Sequence, residues 1–92
     1  MSYRIIIGRT AQRQLLRLPR PVREQAERHI DGLATDPRPW GSEALSGTLR
    51  PFRKLRVGDY RVAYRVDDEA RLVTVVWVGH RSRIYDELER KQ

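Results

Sequence analysis

Phe52-Arg53-Lys54-Leu55-Arg56-Val57-Gly58-Asp59-Tyr60-Arg61-Val62-Ala63-Tyr64 reads as two short strands joined at Gly58-Asp59. Side chains of a strand point alternately to opposite faces. Leu55 and Val57 therefore share one face, and Lys54 and Arg56 share the other. Gly58-Asp59 is the chemistry of a tight hairpin turn. Past the turn the alternation continues to Val66. Tyr60, Val62, Tyr64 and Val66 line one face; Arg61, Ala63 and Arg65 line the other. Asp67-Asp68-Glu69 marks the next turn. Leu72 to Val78 is apolar on both faces, which predicts a buried interior strand ended by Gly79.

Upstream, Tyr3 to Ile7 is apolar and β-branched, as a strand requires, and Gly8 breaks it. Thr10 fits a helix N-cap, with Ala11, Leu15 and Leu18 on one face of the helix that follows. Pro19-Arg20-Pro21 ends that helix and begins another. Pro21 suits the first helical position, where a missing N–H costs nothing. Val22, Ala26, Ile30 and Leu33 form the narrow apolar stripe of an amphipathic helix. Asp36-Pro37-Arg38-Pro39-Trp40-Gly41 is loop chemistry leading to Leu45-Ser46-Gly47-Thr48-Leu49. Downstream, Ser82 fits the cap of a short last helix through Leu88. These elements predict a small α+β fold in one domain spanning residues 1–92. It has an N-terminal strand, a helical hairpin packed on one side of a largely antiparallel four-stranded sheet, and a short C-terminal helix.

Composition narrows the function classes. A chain of 92 residues with 39% hydrophobic side chains supports one modest core. There are no cysteines, so disulfides and thiolate metal sites are excluded. Lys and Arg number 19 against 12 Asp and Glu, a formal net charge of +7 that attracts polyanions. Nucleic acid or an acidic protein are the expected partners. Most of the cations are Arg, whose planar fork suits phosphate better than the point charge of Lys. The run Ile5-Ile6-Ile7 is too short for a signal peptide or a membrane span. A soluble cytoplasmic protein, not associated with membranes, is expected.

No Ser-His-Asp set or phosphate-binding Gly-rich loop is present. His29 and His80 lack carboxylates at ligand spacing, so neither metal nor cofactor is expected. What stands out is cationic. Arg50, Arg53, Lys54, Arg56, Arg61 and Arg65 fall in the hairpin, with Asp59 the only acid from Arg50 to Val66. His80, Arg81, Arg83 and Tyr85 follow Gly79. An interior strand finishing beside the hairpin brings the two groups together. Convergent cations stabilise a phosphoryl group as it gains negative charge. Metal-free RNA cleavage also needs a base for the 2′-hydroxyl and an acid for the departing oxygen. Lys54, crowded by arginines, is pushed toward its neutral form and so becomes a candidate base. A plainer reading fits the same residues: Lys54, Arg56, Arg61 and Arg65 as the solvated face of a half-exposed strand. Tyr85 fits a helix packing position, and Trp40 either packs or stacks on a base.

Three pieces of the chain together resemble the RelE/ParE toxin superfamily, the RelE branch most closely. They are Leu45-Ser46-Gly47, then Lys54-Leu55-Arg56-Val57-Gly58-Asp59-Tyr60-Arg61-Val62-Ala63-Tyr64, then Val78-Gly79-His80-Arg81 with Tyr85. The resemblance covers nearly the whole chain. It implies a ribosome-dependent endoribonuclease that cuts messenger RNA in the A site without metal, by 2′-hydroxyl attack on the adjacent phosphate. It also implies a cognate, RelB-like antitoxin, acidic and amphipathic. Lys54, Arg61, Arg81 and Tyr85 match catalytic positions of the family, and Arg56 matches a supporting basic position. On this basis Arg61 and Arg81 face the developing phosphate charge, with Arg81 also a candidate acid. Lys54 and Tyr85 share the base and positioning roles. Arg53, Arg56, His80 and Arg83 complete the set expected to bind RNA phosphate. Phe52 stands where some members carry a second basic residue, and the step from Arg81 to Tyr85 is shorter than in some relatives. The same fold serves ParE-like inhibitors of DNA gyrase, and a basic nucleic-acid-binding module without chemistry is a further alternative.

Overall fold

A computed structural model describes residues 2–91. Strand β1 (Arg4–Ile7) leads into helices α1 (Arg9–Arg17) and α2 (Arg20–Gly32). Strand β2 (Ser42–Ala44) and a 3-10 turn (Gly47–Leu49) precede β3 (Phe52–Val57), β4 (Tyr60–Asp67) and β5 (Leu72–His80). A second 3-10 turn (Arg81–Arg83) and helix α3 (Ile84–Lys91) follow. The sheet order is β1-β5-β4-β3-β2. Only β1 and β5 run parallel; the other three pairings are antiparallel.

The α+β class and the mostly antiparallel sheet match the expectation, and two details correct it. The sheet has five strands among the described residues, not four, because Ser42–Ala44 pairs with the outer edge of β3. Ser, Glu and Ala are poor strand formers, and three residues are too few to show a period. The helices also lie on both faces of the sheet rather than one. Ala11 and Leu15 of α1, with Ala26 and Ile30 of α2, pack on Leu55, Val57, Val62, Tyr64, Val73 and Val75. Ile84 and Leu88 of α3 pack on the opposite face, against Ala63, Trp77, Leu45 and Leu49.

Element ends also differ in detail. Helix α1 begins at Arg9 with Gly8 in the N-cap position, and no side chain caps it. Thr10 therefore lies inside the first turn. Arg20 opens α2 and Pro21 sits second, where its lack of an N–H is still harmless. His80, not Ser82, caps the last segment: its Nδ1 accepts from the Ser82 backbone N–H at 3.2 Å. The Gly58 turn has the positive φ, 59°, that the hairpin requires.

Strand β5 runs through Gly79 to His80 instead of stopping at Gly79. It also carries a bulge. Tyr64 pairs with Val75 but Ala63 pairs with Trp77, so Val76 is an extra residue. One extra residue swaps the faces of everything beyond it. Trp77 thereby turns to the α3 side, where it is 1% exposed and its Nε1–H donates to Glu87 Oε1 at 2.8 Å. Its ring lies over Gly79, and a Cβ built there would sit 2.5 Å from Trp77 Cζ2. The ring is boxed in by Ile84 and Leu88 and has little room to yield. Gly79→Ala is expected to destabilise the fold by about 1–3 kcal/mol, the usual range for overpacking. Urea unfolding reads it as a lower midpoint at unchanged slope; an unchanged midpoint contradicts the packing described.

Candidate phosphate-binding site

Strands β3 and β4, the 3-10 turn after β5 and the first turn of α3 supply the site. In β3 the alternation puts Lys54 and Arg56 on the α3 face of the sheet, opposite the buried Leu55 and Val57. Arg56 is the cross-strand partner of Arg61 in β4, and Arg61 in turn pairs with Gly79 of β5. Gly79 has no side chain, and the space over it is taken by the Trp77 ring. The Arg81 backbone N–H donates to the Asp59 carbonyl at 2.9 Å, tying the exit of β5 to the hairpin turn. The first turn of α3 then brings Tyr85 over the hairpin. Lys54 Nζ lies 5.5 Å from the centre of the Tyr85 ring, within cation–π range.

Each cation is held differently. Lys54 Nζ is 3.2 Å from Glu43 Oε1, and its side chain is only 24% exposed. That carboxylate comes from β2, the strand not read in the sequence, so the crowd of arginines is not the only charge acting on Lys54. Arg61 Nη1 donates to the Gly58 and Tyr60 carbonyls at 2.9 and 2.8 Å. Partial burial, then repulsion from Arg56 and Arg81, pull the Arg61 proton affinity below the ordinary arginine range. Arg61 is thus packed among like charges with its outward donors unanswered. Among the described residues, neither the Arg56 nor the Arg81 guanidinium has a hydrogen-bond or ion-pair partner. A phosphate would relieve this repulsion, since it offers several acceptors and negative charge at once.

Lys54, Arg61, Arg81 and Tyr85 therefore sit together, with Arg56 beside them. Arg53 leaves in the other direction along the strand. Its Nη2 donates to Ser42 Oγ at 3.1 Å and to the Ser42 carbonyl at 3.3 Å, which fastens β2 to the sheet. His80 and Arg83 line a neighbouring cleft of about 600 Å³ with Gln14, Arg17 and Gly79. There the His80 ring meets Tyr60 edge-on at 5.8 Å, and its Nδ1 is engaged by Ser82. Among the described residues, no three His, Asp or Glu side chains cluster as metal ligands would, and no helix is long and apolar enough to cross a membrane.

The cleft beside the hairpin cations, about 560 Å³, is lined by Arg53, Lys54, Arg56, Arg61 and Glu43, and also by Arg38 and Trp40 of the preceding loop. That loop is well anchored. The Tyr64 hydroxyl donates to the Pro37 carbonyl at 2.8 Å, and Arg38 forks onto Asp68 at 2.9 and 3.2 Å. The Tyr3 hydroxyl donates to the same carboxylate at 2.7 Å. Glu43 and Arg38 were not candidates from the sequence. Glu43 lies in a segment without periodicity, and the Asp68 that orients Arg38 is 30 residues away.

Known proteins share this fold. A family described as "ParE toxin of type II toxin-antitoxin system, parDE" matches residues 5–85. The chain is 33% identical over 84 residues to Toxin RelE of Mycobacterium tuberculosis, covering 90% of this chain and 86% of that protein. In three dimensions it resembles a chain of the RelBE2 toxin–antitoxin complex of Mycobacterium tuberculosis, with TM-score 0.79 and 29% identity over 88% of this chain and 100% of that one. A variant of Escherichia coli toxin RelE in the free state gives TM-score 0.77 and 29% identity over 99% and 98%.

The loop anchor makes stability pH-dependent in a defined window. The Arg38 and Tyr3 hydrogen bonds hold the Asp68 carboxyl below its ordinary 3.8. The same carboxylate pushes the Tyr3 phenol above 10.0. A lowered acid stabilises the fold at pH above its unfolded value and loses that contribution as pH falls through the folded one. The raised phenol stabilises below pH 10.0 and loses its contribution as pH rises further. Asp68→Asn should therefore be less stable than wild type near pH 7, with the difference closing below pH 3.8. Urea midpoints across pH measure it; a gap independent of pH from 7 to 2 contradicts the linkage.

Proposed function

The chain belongs to the RelE/ParE superfamily, the toxins of type II toxin–antitoxin systems, and on that premise we propose that it is a metal-independent endoribonuclease. It cuts messenger RNA in the ribosomal A site and so inhibits translation. The observation that carries this reading is the convergence of Lys54, Arg61, Arg81 and Tyr85, tied together by the Lys54–Tyr85 contact and the Arg81–Asp59 bond.

In the proposed step the ribose 2′-oxygen attacks the neighbouring phosphorus and gives its proton to a base, Lys54 or Tyr85. The bond from phosphorus to the 5′-oxygen breaks, and that oxygen takes a proton from an acid, for which Arg81 is the candidate. The products are a 2′,3′-cyclic phosphate and a free 5′-hydroxyl. Arg61 and Arg81 stabilise the charge that grows on the phosphoryl oxygens. Arg61, already burdened by burial and by its neighbours, gains most from an anion appearing in front of it. Arg56 holds the flanking backbone. His80 and Arg83, in the neighbouring cleft with Arg17, extend the basic surface along which RNA phosphates run.

A cognate RelB-like antitoxin is the proposed protein partner. The support is a structural relative seen in a toxin–antitoxin complex and a net charge of +7, which an acidic partner complements. Cytoplasmic residence follows from a ribosomal target. A second reading, ParE-like inhibition of DNA gyrase, is favoured by the description of the matching family. It needs neither Lys54 nor Tyr85 as a proton carrier.

Purified protein added to ribosomes stalled on a defined message separates these readings. The wild type should cut the message in the A site, and Arg61→Ala and Arg81→Ala should each slow cutting about 10²–10³-fold. Arg81 is exposed, so its removal should leave stability within about 0.5 kcal/mol of wild type, whereas Arg61 is half-buried and its removal also gives up the bonds to the Gly58 and Tyr60 carbonyls. Inhibition of gyrase supercoiling by the wild type, with the message left intact, would establish the second reading instead.

A further inference from the structure

Trp40 lies at the rim of the cationic cleft and takes no part in holding the fold. It is fully exposed, at 102%, while the other tryptophan, Trp77, is 1% exposed and bonded to Glu87. Its loop needs no help from the indole. Pro37 and Pro39 stiffen the backbone on either side of Arg38. Tyr64, Asp68 and Ser42 then fasten the loop: Ser42 donates to the Pro39 carbonyl from its N–H at 3.0 Å and from its hydroxyl at 2.8 Å. A rigid loop thus presents a large flat apolar ring to water, next to five cationic side chains and one carboxylate.

We propose that Trp40 is a stacking platform for a nucleobase of the RNA strand whose phosphates lie in this cleft, and the proposal rests on the endoribonuclease reading above. Sites for single-stranded nucleic acid combine cations that follow the backbone with aromatic faces that take the bases. Lys54, Arg56 and Arg61 provide the first component and Trp40 the second, within one cleft. A protein partner would need acidic groups for the cations and an apolar socket for the ring. Around Trp40 the lining is polar or charged apart from Pro39 and Gly41, which matches an apolar anchor less well than a stacked base with its phosphate. Every base has a π face, so the platform selects for single-strandedness and not for sequence.

The test uses the intact protein and a single-stranded 2′-O-methyl oligoribonucleotide of about eight nucleotides, within the usual footprint of such sites. It lacks the attacking hydroxyl and so is not cut. Binding should quench the red-edge emission of the exposed Trp40. Trp40→Ala should lose that quenching and bind about 5–150-fold more weakly, the equivalent of one stacked base. Trp40→Phe should restore most of the affinity. Circular dichroism confirms that both variants are folded. Equal affinity of wild type and Trp40→Ala, with Arg56→Ala clearly weakened, overturns the platform and leaves the nuclease reading standing. So does a Trp40→Ala variant that binds the oligonucleotide normally but releases its antitoxin, since Trp40 is then a protein contact. If the wild type neither binds the oligonucleotide nor cuts ribosome-bound message, both readings fall together.

Discussion

The site depends on the register between β4 and β5 beyond the bulge at Val76. Below the bulge Tyr64 faces Val75, and above it Ala63 faces Trp77 and Arg61 faces Gly79. Were the same sequence paired without the bulge, Arg61 would stand opposite Val78, whose side chain belongs to the helical-hairpin core. Trp77 would turn to the wrong face and lose its place against α3. The bulge is therefore what lets one strand serve two cores and end beside the arginines. The Arg81–Asp59 backbone bond is the last rung of this corrected ladder.

From that register follows an uneven distribution of cost. One face of β3 and β4 is buried under α1 and α2, and the other gathers Lys54, Arg56 and Arg61 beside Arg81. Like charges held close, one of them partly desolvated, oppose folding and favour an anionic ligand. Such conflicts between stability and site are expected where a protein acts on its target. Glu43 answers one of the cations, and the rest are the groups proposed to hold phosphate. Under the function proposed above, an acidic antitoxin on this face would relieve the same repulsion that phosphate relieves.

Much of this was legible in the sequence because it rests on strict periods. The β3–β4 hairpin shows a period of two on both strands, and Leu15, Ala26 and Ile30 show helical spacing, so the strand pair and the helical hairpin could be read. Where the period fails, the reading fails with it. Ser42–Ala44 is too short and too polar to announce a strand, so Glu43 was invisible as the partner of Lys54. Leu72 to Val78 is apolar on both sides, so no alternation betrays a bulge, and the placing of α3 on the far face depends on that bulge. The grouping of Lys54, Arg61, Arg81 and Tyr85 came from resemblance to a family; in three dimensions Lys54 meets Tyr85, and the Arg81 backbone is tied to the hairpin turn near Arg61. His80 and Arg83 are near neighbours of Arg81 in sequence, yet they line the next cleft, His80 from the end of β5 and Arg83 from the 3-10 turn.

The most direct measurement concerns the attacking group. A message carrying a single 2′-deoxynucleotide at the expected cleavage position is placed in the ribosomal A site beside an all-ribose control, with chelator present. The control should be cut, leaving a 2′,3′-cyclic phosphate and a 5′-hydroxyl, and the deoxy message should stay intact at that position. Cleavage of the deoxy message at the same bond, or products ending in a 5′-phosphate, would contradict it, because then the 2′-oxygen is not the nucleophile that these cations and Tyr85 are arranged to serve.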